Sequence, residues 1–145
     1  MKDGLKTVFF HEPIKVLLIF VALLLFSATD SYSEQPAAKI VLVQAVMCES
    51  IENSRPVNPS VVFSISQGEI FCFSDFDPVF EKTYFFHKWY YKDKLISTMK
   101  LVLNPPKWSS FSKIQIRFED KGPWRVEIRD VENTLLQTLR FSMAD

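Results

Sequence analysis

From residue 39 onward the chain alternates apolar and polar side chains with a period of two, and turn-forming residues interrupt the alternation at short intervals. Phe85, His87, Trp89 and Tyr91 share one face of a strand. After a tight turn at Asp93, so do Leu95, Ser97, Met99, Leu101 and Leu103. The same pattern returns at Val61, Phe63 and Ile65, at Ile114, Ile116 and Phe118, at Trp124, Val126 and Ile128, and at Leu135, Gln137, Leu139, Phe141 and Met143. Lys39 to Ile51 is rich in β-branched residues and reads as a strand buried on both faces. In Glu69 to Phe76 the inner face is ambiguous between Ile70 with Cys72 and Phe71 with Phe73. Residues 52–60 and 75–82 read as connections, and Trp108 to Ser112 as a loop or an edge. The pattern predicts an all-β fold, an antiparallel immunoglobulin-like β-sandwich of about seven or eight strands, with an eight-stranded barrel as the structural alternative.

The N-terminal portion has a different character. Lys2, Lys6 and Lys15 precede an apolar run from Val16 to Phe26, and Ser27, Ala28 and Thr29 follow it. This is the layout of a secretory signal peptide over residues 1–33, with Ser31 and Ser33 at the small-residue positions before cleavage. An uncleaved anchor over residues 14–28 is the rival reading. As a helix the apolar run spans only about 20 Å against a hydrocarbon core of roughly 30 Å, which favours the signal. Residues 34–38 then form a linker and residues 39–145 a single domain in an exported, periplasmic or extracytoplasmic setting. The 17 basic residues equal the 17 acidic ones, so no global charge favours nucleic acid, and membrane contact is expected only through the N-terminal segment if it stays uncleaved.

Cys48 and Cys72 are the only cysteines, and an exported domain with an even count points to a disulfide between them. Closing a loop of roughly 25 residues would contribute on the order of 3 kcal/mol. The alternative is a pair of buried, reduced thiols. His87 is the sole histidine after the signal, and no zinc or copper spacing surrounds it. A structural histidine beside Trp89 is favoured over a ligand or a base.

Three tryptophan blocks stand out: His87-Lys88-Trp89-Tyr90-Tyr91, Trp108-Ser109-Ser110-Phe111-Ser112-Lys113, and Gly122-Pro123-Trp124-Arg125-Val126-Glu127. Alternation places Trp89 and Trp124 in the core. Trp108 lies among donors without an apolar stripe, which suits stacking on a glycan or contact with an envelope protein. The candidate surface is Trp108, Ser110, Ser112 and Lys113, with His87 and Tyr91 as a second choice. Gly-rich phosphate loops, nucleophile elbows and metalloprotease motifs are absent from the sequence, which implies neither cofactor nor metal.

Together with Ala45-Val46-Met47-Cys48, Arg55-Pro56 and Gly68-Glu69-Ile70-Phe71-Cys72-Phe73, these blocks resemble a bacterial family known as domain of unknown function 2914. In that family a basic residue often follows the middle tryptophan, where this chain has Ser109. The resemblance implies a small domain, often exported or attached to a membrane segment, and carries over no catalytic residue.

The sequence therefore favours a binding or interaction module that is not an enzyme, because no catalytic set is visible in it. The alternatives are a metal- or thiol-dependent enzyme using His87 with Cys48 or Cys72, and a structural assembly domain.

Overall fold

Two turns with left-handed backbone set the frame of the sandwich. Asn53 and Ser54 have φ of 49° and 59°, and Lys92 and Asp93 have φ of 46° and 66°. Consecutive positive φ values give the turn whose twist matches that of paired strands, so each pair closes a hairpin. The computed structural model describes residues 39–145; the expected signal peptide and linker lie outside the described residues. Among the described residues nine strands follow one another: β1 (Leu42–Glu52), β2 (Arg55–Pro59), β3 (Val62–Ser64), β4 (Glu69–Phe76), β5 (Thr83–Tyr91), β6 (Lys94–Leu103), β7 (Trp108–Gln115), β8 (Gly122–Arg129) and β9 (Leu135–Ala144). They form two sheets, ordered β2-β1-β4-β7 and β3-β9-β8-β5-β6. All neighbours are antiparallel except β3 and β9, which run parallel. Among the described residues no helix is long and apolar enough to cross a membrane.

The β-sandwich expected from alternation is present, with two additional features. Pro56 and Pro59 predict a loop over residues 55–59, yet these residues form β2. Proline is tolerated there because β2 is the last strand of its sheet and one side needs no donors. Trp108 to Gln115 is one continuous strand, paired to β4 along its whole length from Trp108 opposite Phe76 to Gln115 opposite Glu69. Long-range pairing thus overrides the loop-like composition of Ser109, Ser110 and Ser112. The alternation expected to run on to Phe118 stops at Gln115. Ile116 is buried, whereas Phe118 opens a 3-10 turn and is exposed.

The core consists of two apolar clusters arranged along the strands. One gathers Met47, Ile70, Cys72, Trp89, Trp124 and Phe141 with their neighbours. The other gathers Ala45, Phe76, Val79, Phe85, Leu103 and Ile128. On β5, Phe85 belongs to the second cluster and Trp89 to the first, so His87 falls between them on the same inward face. Fully buried aromatics such as Phe85 and Trp89 each contribute about 3–5 kcal/mol relative to alanine.

The disulfide expected between Cys48 and Cys72 is not formed: both cysteines are free and buried. The register explains why. Met47 lies opposite Cys72, and Cys48 lies opposite Phe71. Partners across a ladder point to the same face and neighbours along a strand to opposite faces. Cys72 therefore enters the core beside Met47, whereas Cys48 points away and meets the backbone of Val57 in β2. A disulfide needs Cβ atoms about 3.8 Å apart with converging vectors, and the plane of the sheet separates these two. Burial pushes the Cys48 thiol up to about 11 and the Cys72 thiol higher still. Thiol counting on the non-reduced chain is expected to find two reactive cysteines in denaturant, with alkylation slowed at least about a hundredfold when folded. A bridged species in that experiment would mean the register places both thiols on one face.

Candidate functional site

A layer of polar side chains crosses the sandwich between the two apolar clusters. β5 supplies His87, β4 supplies Ser74 and Cys72, and β7 supplies Ser112. Each lies at an inward position of its strand, because Ser74 continues the face of Ile70, Cys72 and Phe76 while Ser112 sits opposite Cys72 in the ladder. His87 Nε2 lies 2.8 Å from Ser74 Oγ and 3.8 Å from Cys72 Sγ. On the other side of the ring, Nδ1 lies 2.7 Å from Ser112 Oγ, which also accepts from Trp89 Nε1 at 3.0 Å. All five residues are buried.

The direction of the protons follows from the donor inventory. Indole N–H can only donate, so Ser112 Oγ is an acceptor toward Trp89. Ser112 then donates its hydroxyl proton to His87 Nδ1, the one acceptor within its reach. The neutral ring carries its own proton on Nε2 and donates to Ser74 Oγ, with Cys72 Sγ 3.8 Å from the same nitrogen. The result is a single directed chain: Trp89, Ser112, His87, Ser74. The opposite tautomer would leave the Ser112 proton without a partner. Among the described residues no buried side-chain nitrogen or oxygen is left unpaired.

Burial pushes the His87 imidazole down to about 3, so the ring is neutral at ordinary pH and offers Nδ1 as an acceptor. The Cys72 thiol is raised by desolvation, then by the proximity of Cys48, against the opposing hydrogen bond from Ser74. It therefore remains a thiol.

This cluster overturns the expectation that the domain is not an enzyme because no catalytic set exists. A hydroxyl donating to a neutral imidazole is the pairing that activates a serine nucleophile, and it is assembled here from three strands. The sequence could not show it, since Ser74 and Ser112 are 13 and 25 residues from His87. A signal was present nonetheless, because a serine on an otherwise apolar inward face implies a buried partner.

Of the six residues expected to form a binding surface, the structure brings together His87 and Ser112, both inside. Ser110 is half-buried beside them on β7, and Trp108 is 41% exposed at the strand's start. Lys113 points to the opposite face and pairs with Glu69 at 2.8 Å. With both partners exposed, that pair contributes at most about 1 kcal/mol. Tyr91 packs its ring 4.7 Å from that of Trp124 and donates to the carbonyls of Glu119 and Lys121 at 3.1 and 2.7 Å. Among the described residues no three His, Cys, Asp or Glu side chains converge as metal ligands.

The fold and the cluster define a β-sandwich domain with a buried histidine–serine–cysteine layer. Residues 82–143 match the model of a family described as protein of unknown function (DUF2914), an uncharacterised bacterial domain. The match runs from the start of β5 almost to the end of β9, so His87, Trp89 and Ser112 lie within it while Cys72 and Ser74 precede it. A search among curated proteins finds no match.

The depressed His87 pKa has a measurable consequence. The unfolded chain protonates near 6.5 and the native ring only near 3, so between these values the unfolded state binds more protons. The contribution of the neutral ring is complete above pH 6.5 and is lost progressively as pH falls toward 3, by about 1.4 kcal/mol per pH unit. Urea unfolding from pH 7 to 4.5 is expected to show this decline in the wild type and a markedly shallower one in His87→Gln. Equal slopes would place the protonated ring in the native state.

Proposed function

We propose that the domain is a hydrolytic enzyme of the acyl-transfer type with Ser112 as nucleophile and His87 as base. The observation that carries this reading is the Ser112 hydroxyl donating to the neutral His87 Nδ1 at 2.7 Å. Ser112 Oγ attacks the carbonyl carbon of an ester and its proton passes to Nδ1. The bond to the leaving alkoxide breaks and that group takes the proton. Water then repeats the sequence and releases the acid. Ser74 holds the Nε2–H and so orients the ring, and the Trp89 N–H steadies charge developing on Ser112 Oγ. A serine rather than a thiol fits the role, because burial holds Cys72 protonated.

In the closed sandwich the base is weak and the site is covered. β7 is the last strand of one sheet and β6 the last strand of the other. Parting of these two edges would admit substrate and water together, and hydration would return the imidazole toward its ordinary pKa. The strand orders support an immunoglobulin-like assignment: β9-β8-β5-β6 corresponds to the G, F, C and C′ strands of a variable-type domain, with Trp89 on the C strand. The exported location expected from residues 1–33 belongs to the same reading.

Treatment of the full chain with a fluorophosphonate is expected to give a mass adduct on Ser112. The adduct should vanish in Ser112→Ala and form at least about a hundredfold more slowly in His87→Gln. Equal labelling in Ser112→Ala, or no adduct in the wild type under mild opening conditions, would remove the reading. Peptide mapping of the wild type decides the matter even if a variant fails to fold.

The exposed indole of Trp108 favours a second reading, contact with a glycan or envelope protein at the start of β7. Glycan-array binding is expected to be lost in Trp108→Ala at an unchanged melting temperature. Retained binding in that variant would exclude the surface.

A further inference from the structure

On the outer face of the second sheet, Tyr90, Arg125 and Arg140 lie directly across from one another on β5, β8 and β9. Like charges facing each other across a ladder destabilise it. Arg125 is accounted for by its surroundings: the guanidinium lies 4.0 Å over the Tyr90 ring, Nε donates to Glu127 at 3.3 Å, and Asp93 pairs with the far end. Arg140 has no carboxylate partner among the described residues. Lys92, at the β5–β6 turn, reaches only the Tyr91 ring, 5.0 Å away.

These three cations surround a surface cavity of about 110 Å³ floored by Tyr90, Pro123 and Trp124, with Asp93 as its only acid. The charge of the lining is therefore positive in a chain whose net charge is zero. The rim is also held in place. Lys92 N donates to Pro123 O at 3.2 Å, which ties the turn to β8, and the Arg125 side chain is only 17% exposed. The volume exceeds that of a few water molecules at about 30 Å³ each and suits a tetrahedral oxyanion.

We propose that this cavity binds a phosphate group, with Arg140 and Lys92 contacting its oxygens and Arg125 supplying the fixed charge behind them. Arginine and lysine lining one cavity is the usual chemistry of phosphate recognition, and the Lys92 ammonium, now over the Tyr91 ring, would swing to the ligand. Arg140, facing Arg125 without a carboxylate of its own among the described residues, is then a cost in the empty protein that the ligand removes. The site stands on the opposite side of the second sheet from His87 and does not depend on its chemistry.

The test uses inorganic phosphate, and separately phosphatidylglycerol vesicles, added to the full chain at matched ionic strength. Saturable binding of phosphate is expected, with affinity lowered at least roughly tenfold in Arg140→Gln and in Lys92→Gln. Lys100→Gln on β6 serves as the unaffected control. In chloride alone, Arg140→Gln should melt at or above the wild-type temperature, because the repulsion is gone. Free phosphate binding without vesicle binding identifies a soluble phosphate compound as the source, whereas vesicle binding lost in Arg140→Gln identifies a lipid headgroup. Non-saturable binding, or equal affinity in Arg140→Gln and wild type, overturns the proposal.

Discussion

The hydrogen bond from the Trp89 indole to Ser112 Oγ determines how the interior can be wired. Indole has no acceptor to offer, so this one donor orders the protons downstream, from Ser112 through His87 to Ser74. The chain also joins the sheets, since Trp89 and His87 belong to one and Ser74 and Ser112 to the other. A sandwich held only by apolar contact could shift its sheets by small amounts at low cost. A directed polar layer between two apolar clusters permits one alignment, because any displacement leaves buried donors unpaired at about 1–3 kcal/mol each.

The two sides of the second sheet therefore carry opposite kinds of specification. Inside, polar groups are fully paired and neutral, and burial pushes the imidazole far below its ordinary value. Outside, charges predominate. Glu127 sits between Arg125 and Arg129 at 3.3 and 2.8 Å, which lowers its pKa against the opposing and largest effect of its partial burial. Arg140 extends the same row and has no carboxylate partner among the described residues. The inner layer is neutral and the outer one charged, and the two share strand β5 as a common support.

Much of this was legible in the residue pattern. Alternation placed Trp89, Trp124, Phe85 and Phe141 inside, and the hairpin around Asp93 was marked by its polar turn. What pattern could not supply was register between strands far apart in sequence. Cys48 and Cys72 each read as strand residues and suggest a disulfide, but only the pairing of Met47 with Cys72 shows that they face opposite ways. The polar layer was hidden for the same reason. Ser112 looked like a surface residue because its sequence neighbours are Phe111 and Lys113, which do point outward, and Ser74 drew no attention between Phe73 and Asp75. β2 was obscured by its prolines, whose usual meaning changes at the edge of a sheet.

The parallel pairing of β3 with β9 has a consequence for assembly. β9 is the last strand of the sandwich, yet it lies inside its sheet with β3 on one side and β8 on the other. Val62 to Ser64 have no ladder partner until Ser142 to Ala144 arrive, some 80 residues later. The β5–β6 hairpin can form as it emerges from the synthetic machinery, but closure of the sheet waits for the final segment. Closure of the second sheet is thus coupled to its last strand: without Leu135 to Ala144, β3 and β8 would both lose the neighbour they share.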